Sequence, residues 1–245
     1  MKLFRLPSAR SASRAIAALA CLAAPSLLAA KAPSATVSLV LRKSAPTDVA
    51  ANDAAVVRRL ETLGYRVRVV DEGEPASATE GSGAILISAS VSGYNLASKY
   101  RDTAIPVITW EPAILPYMAM TGRRAGADYG EAEGERRLWL VNAPHRLGGG
   151  VPAGHQLAYA KGEEMGWGKP GLGATVIATI PGEPEKATEF SYERGATMDD
   201  DSLAPARRLF MFISSGSFIA LTPTGLQLFD AAVRWSVEGA GCRAG

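Results

Sequence analysis

The residues of this chain best placed to do chemistry lie between Gly83 and Pro116. Glu111 ends the apolar run Pro106-Val-Ile-Thr-Trp110, which reads as a buried strand, and Pro112 follows it at once. A carboxylate at the C-terminal end of such a strand can act as a general base, accept hydrogen bonds from sugar hydroxyls, or ligate a metal. It can equally cap the helix that a proline in its first turn would open. Trp110 beside it offers an indole face for stacking on a sugar ring.

A second polar cluster precedes it in the chain. Ser88, Ser90, Ser92, Tyr94 and Asn95 follow the apolar run Gly83-Ala-Ile-Leu-Ile87. Their hydroxyls and exposed N–H groups suit a polar or anionic ligand, although serine and glycine also serve simply as turn residues. His145, one of two histidines, sits in the loop Pro144-His-Arg-Leu-Gly-Gly-Gly150. It could share proton transfer with Glu111 as an acid–base pair, or be a hydrogen-bonded structural residue of its loop. There is no Gly-x-Ser-x-Gly elbow and no His or Cys spacing of the zinc type, so no α/β-hydrolase triad, metal or cofactor is expected.

The elements that would position these groups follow from hydrophobic patterning. Thr36 to Leu41 is β-branched and apolar, and Pro46-Thr-Asp48 then starts a helix with Val49, Val56, Val57, Leu60 and Leu63 on one face. Gly64 stands where a C-cap glycine belongs, and Tyr65 to Val70 is the next strand. Strand, helix and strand within ~35 residues make a βαβ unit and call for a parallel sheet. Gly83 to Ser88 and Pro106 to Trp110 are the third and fourth strands, joined by the serine turn and a helix ending near Arg101. Nearly continuous apolar runs of this kind belong to strands covered on both faces, and the rim at their C-terminal ends is where open α/β sheets bind ligands.

Arg123 to Arg137, charged and glycine-containing, reads as a surface excursion, and Leu138 to Asn142 as a fifth strand. His155 to Ala160, Ala174 to Ile180 and Ala187 to Tyr192 suggest an antiparallel extension at the sheet edge. Arg208 to Ile213 is a further strand, and Thr222-Pro223 opens a helix with Leu226, Phe229, Val233 and Val237 on one face. Trp139 and Trp235 fall in apolar periodic segments and are expected in the core.

Residues 1–30 read differently. Lys2, Arg5, Arg10 and Arg14 precede a short apolar run and small residues around Ala30, the pattern of a bacterial export signal. That places the protein in the periplasm or outside the cell. Cys21 leaves open a lipoprotein anchor, although Ala18 stands where such a signal has leucine. The full chain carries 26 Lys+Arg and 24 Asp+Glu; without those four basic residues 22 remain, and the net charge falls from +2 to −2. No run of like charge remains to hold nucleic acid or an anionic membrane surface, and an apolar run this short cannot span a bilayer. About 215 residues remain, the size of one domain spanning 31–245. Only Cys242 would stay in it, so no internal disulfide can form.

Two stretches together resemble the class I glutamine amidotransferase superfamily, and in particular its ThuA-like (trehalose utilisation-like) domains. Ile85-Leu-Ile-Ser-Ala-Ser-Val-Ser-Gly93 and Pro106-Val-Ile-Thr-Trp-Glu-Pro-Ala113 stand where that superfamily has a strand with a glycine-rich turn and then Pro-Val-Leu-Gly-Ile-Cys-x-Gly. The ending Leu221-Thr-Pro-Thr-Gly225 with a helix reading Leu-Phe-Asp-Ala-Ala-Val-Arg-Trp235, and the loop Asn142-Ala-Pro-His145, are similar to ThuA-like domains. The resemblance implies a three-layer α/β/α fold with a mainly parallel, flavodoxin-like sheet. By the same alignment Glu111 replaces the nucleophilic cysteine, and Phe210-Met-Phe-Ile-Ser-Ser215 stands where the His-Pro-Glu of the triad would be. A carboxylate does not do the work of a thiolate on glutamine's amide, so glutaminase activity is not expected. What remains is an exported domain binding a small polar, carbohydrate-related ligand. The alternatives are a hydrolase using Glu111 with His145, or a protein-interaction module.

Overall fold

The computed structural model describes residues 35–239. The leader expected at 1–30, Cys21 and Cys242 lie outside the described residues. The chain opens with β1 (Thr36–Leu41), α1 (Thr47–Thr62) and β2 (Arg66–Asp71), and β1 and β2 pair in parallel from Thr36↔Arg66 to Leu41↔Asp71. The reversal after α1 uses Gly64 at φ +91°, a left-handed conformation that glycine adopts without steric cost. β3 (Ala84–Ile87), the single-turn α2 (Gly93–Leu96) and β4 (Val107–Thr109) follow. Every residue of β3 and β4 is buried, as the apolar runs require.

The next strands are β5 (Tyr129–Glu135), β6 (Arg137–Leu140), β7 (Gly154–Leu157), β8 (Glu163–Gly168), β9 (Thr175–Ile180), β10 (Glu183–Tyr192) and β11 (Arg208–Met211), and α3 (Pro223–Gly239) closes the described chain. One mixed sheet results, in the order β2-β1-β3-β4-β11-β10-β9-β6-β7, with β8 pairing β10 and β5 pairing β8. From β2 to β11 the pairs are parallel; beyond β11 they are antiparallel. The edge extension expected from the sequence is thus as large as the parallel part, and β11 is the seam between the two.

Both long helices lie on one face. Val56 and Leu60 of α1 and Leu228, Phe229, Val233 and Trp235 of α3 share a core with Val37, Leu39, Leu86, Ile108 and Met211. Arg59 and Asp230 tie the helices together through a forked ion pair whose Nε–Oδ1 arm is 2.8 Å. The other face carries Val40, Ile85, Ile87, Val107 and Phe210, covered by Val91, Leu96, Tyr100, Ile114, Leu115 and Met118 from short turns. The helix expected to run to Arg101 stops at Leu96, because Ala97 leaves helical space at φ +42°.

Three expectations are corrected. The supposed surface excursion holds β5, and β8 went unread. Trp139 is not core: β6 alternates, so with Leu138 and Leu140 fully buried its indole is turned out, 42% exposed, edge-on to His155 at 4.7 Å. The buried stripe of α1 comprises Asn52 and Asp53 together with Val56 and Leu60, while Val49 and Val57 are only half-buried.

Candidate functional site

The strand order reverses between β1 and β3, so the crevice at their C-terminal ends is the switch point at which open α/β sheets hold ligands. Three loops meet there. The Arg42 N–H, just past β1, donates to Ser90 Oγ at 3.3 Å. Glu72, just past β2, accepts from the Ser92 N–H at 2.5 Å and lies 3.4 Å from Arg42 Nε. Ser88, just past β3, donates its hydroxyl to Asp53 Oδ1 of α1 at 2.5 Å and accepts from the Ser90 N–H at 3.1 Å. The serine cluster is therefore an anchored turn. Ser88 and Ser90 are buried at 1% and 5% exposure and serve the turn itself. Ser92 caps α2 by accepting from the Asn95 N–H, and Tyr94 and Asn95 stand out in solvent.

Glu111 lies one strand further along the rim. Its Oε1 accepts from the Ala113 N–H at 2.8 Å, which makes it the cap of the 3-10 turn Pro112–Ile114, and its own N–H donates to Thr109 Oγ1 at 3.1 Å. The turn is pressed against α2: a Cβ on Gly93 would fall 2.7 Å from the Ala113 Cβ, so only glycine lets the two turns approach this closely. Burial in this corner pushes the Glu111 carboxyl up to about 7, against the Ala113 hydrogen bond that lowers it; the Glu131 carboxylate adds to the rise and Arg42 opposes it. No cation pairs with Glu111 among the described residues. A half-protonated carboxyl near neutrality can donate as well as accept, which is what a hydroxyl-rich ligand or a proton transfer requires.

The other expected members do not join it. Trp110 turns to the opposite face, 1% exposed and edge-on to Phe229 of α3 at 6.2 Å, so its indole is closed to a ligand. His145 sits at the other end of the sheet. Its ring packs on Trp235, near the end of α3, whose carbonyl is held by Arg207, and the Arg207 carbonyl accepts from the N–H of Val107 at the start of β4. Glu111 follows the end of that strand, so the acid–base pair is not formed. His145 Nδ1 instead accepts from the Leu147 N–H at 3.2 Å, and burial lowers its pKa.

The sequence reading missed Asp53, Arg42 and Glu72. Asp53 is 5% exposed; burial raises its pKa, with the Ser88 and Ser90 hydroxyls acting the other way. The signal was available: Asn52 and Asp53 occupy the positions three and four residues from both Val49 and Val56, in the middle of an apolar stripe. Arg42 and Glu72 had no such signal, since each is one charged residue at a strand end. Among the described residues no group of three or more His, Cys, Asp or Glu converges as metal ligands do, and no helix is long and apolar enough to cross a membrane.

No protein-family model and no curated protein matches the chain. Solved structures do. A ThuA-like protein from Bacteroides uniformis ATCC 8492 superposes with a TM-score of 0.55 at 11% identity, over 84% of this chain and 93% of that one. A GMP synthase subunit from Thermoplasma acidophilum gives 0.50 at 10% identity, over 84% and 94%. At such identities the likeness is one of architecture: the chain has the ThuA-like, class I glutamine amidotransferase-like fold.

Proposed function

We propose that this protein is an exported domain of ThuA-like fold that binds a small polar, carbohydrate-related ligand at the C-terminal rim of its parallel strands, without glutaminase chemistry. The observation that carries the reading is Glu111: a carboxyl at the end of β4, capped on one oxygen, unpaired with any cation among the described residues and held close to half-protonation at neutral pH. A purely structural cap gains from being charged, and burial here works against the charge. The exposed Tyr94 and Asn95 stand on the neighbouring turn and supply further hydrogen-bonding groups. Export rests on the basic and apolar pattern of residues 1–30.

Thermal-shift titration with mono- and disaccharides tests the reading. At a hundredfold excess over the dissociation constant a ligand adds roughly 2.7 kcal/mol of stability, which is easily seen. Wild type is expected to be stabilised saturably by at least one sugar and Glu111→Gln is not. Equal stabilisation of both proteins, or of neither by any sugar, would overturn the assignment.

A further inference from the structure

A hollow of about 290 Å³ lies between α1 and the C-terminal ends of β1 and β2. Its walls are hydrocarbon: Leu41, Ala50, Ala54, Val57 and Val69, the last 41% exposed on the edge strand. Its polar lining is Arg42, Lys43 and Asp53. Neither Glu111 nor any residue of the Ser88–Asn95 turn lines it, but Arg42 and Asp53, which hold that turn, do, so it adjoins the rim site from the α1 side.

The polar groups are not equally free. Arg42 is paired with Glu72 and Lys43 with Glu74, at 3.4 and 3.0 Å. Asp53 uses Oδ1 for the Ser88 hydroxyl, and its Oδ2 is buried with no hydrogen-bond partner among the described residues. A buried carboxylate oxygen without a donor is costly, and the cost is removed by whatever brings a donor to it. A cationic donor does so about twice as strongly as a neutral one. An anion would meet Asp53 itself and would have to displace Glu72 and Glu74 from their cations. The hydrocarbon walls then call for an apolar body behind the cationic head group, and the volume, at the small end for ligand sites, limits its length.

We propose that this cleft binds a small primary ammonium compound with an apolar body, the ammonium donating to Asp53 and the hydrocarbon lying against Leu41, Ala50, Ala54, Val57 and Val69. The proposal goes beyond the rim reading and does not depend on it.

The test uses three probes of one size, n-hexylammonium, 1-hexanol and hexanoate, titrated into the full-length protein by calorimetry at fixed ionic strength. Hexylammonium is expected to bind saturably, 1-hexanol at least tenfold more weakly, and hexanoate not at all. Asp53→Asn should weaken hexylammonium at least tenfold. Because that change touches a buried group, Val57→Trp is measured beside it: from its half-buried position the indole fills the cleft and should abolish binding with the far-ultraviolet spectrum unchanged. Equal binding of the alcohol or the acid, full affinity in either variant, or no saturable binding of hexylammonium would overturn the proposal. Since Glu111 does not line this cleft, such a failure would leave the rim assignment standing.

Discussion

Ser88, at the end of β3, donates its hydroxyl to Asp53, midway along α1, across 2.5 Å of buried space. That one bond fixes α1 to the turn that forms the switch-point crevice. The same hydroxyl oxygen accepts from the Ser90 N–H. Ser88→Ala removes both interactions and takes from Asp53 Oδ1 its hydroxyl donor, so it should cost about 1 to 3 kcal/mol in urea unfolding. Amide exchange of Ser90 should accelerate with it. A loss below about 0.5 kcal/mol would mean the bond contributes little.

Glu111 makes stability depend on pH in a defined direction. Its carboxyl is raised in the folded protein from 4.5 to about 7, so its stabilising contribution is complete below pH 4.5 and is lost as pH rises through about 7. The full loss amounts to roughly 3 kcal/mol. Glu111→Gln cannot titrate, and its amide oxygen still reaches the Ala113 N–H. The variant should therefore gain on wild type between pH 5 and pH 8 in denaturant unfolding. A difference between the two proteins that does not change with pH would show that the group is already ionised at pH 5.

His145 should behave as a loop residue. His145→Ala deletes the acceptor for the Leu147 N–H and the packing on Trp235, at a cost of about 1 kcal/mol. Any sugar that binds wild type should bind this variant with unchanged affinity. A loss of ligand affinity would reconnect the two ends of the sheet.

Arg208 is the buried cation whose removal should hurt most. Its guanidinium, fully buried at the start of β11, donates to the carbonyls of Arg101, Thr103, Ile105 and Arg207 at 2.7 to 3.3 Å. Arg208→Met strands those oxygens and should cost about 3 kcal/mol or more, visible as a fall in the urea midpoint. A midpoint close to that of wild type would show that water replaces the guanidinium.

The parallel half was legible because β1, β3 and β4 are buried on both faces and must be apolar almost throughout, while α1 and α3 carry helical periodicity. The antiparallel half was not. β5 reads Tyr-Gly-Glu-Ala-Glu-Gly-Glu and β8 Glu-Glu-Met-Gly-Trp-Gly, compositions that suggest loops. The glycines of β8 answer to close packing: a Cβ on Gly168 would fall within 3.0 Å of Thr121, Leu115 and Phe190, a constraint set by segments far away in the chain. Glu111 could be placed at a strand end from the sequence, and its capping role was one of the two readings open there. That His145 lies at the opposite end could not be seen, because nothing local records which side of the sheet a loop returns to. Asp53 was hidden for a related reason: a helix of known periodicity does not reveal which serine it will meet.

The position of β11 also bears on how the molecule is made. The strand that joins the two halves is the last of the eleven to be synthesised, and its parallel partner β4 lies about a hundred residues earlier, a separation that makes for slow closure. A growing chain can pair β1 with β2 and β3 long before β11 bridges them to β9 and β10. Until Arg208–Met211 emerges, β4 and β10 each present an unpaired edge of the kind that recruits other chains. The β4 edge therefore stays open from Thr109 until Arg208 is made, joined by that of β10 only after Tyr192, and chaperone protection is needed most just before α3 appears.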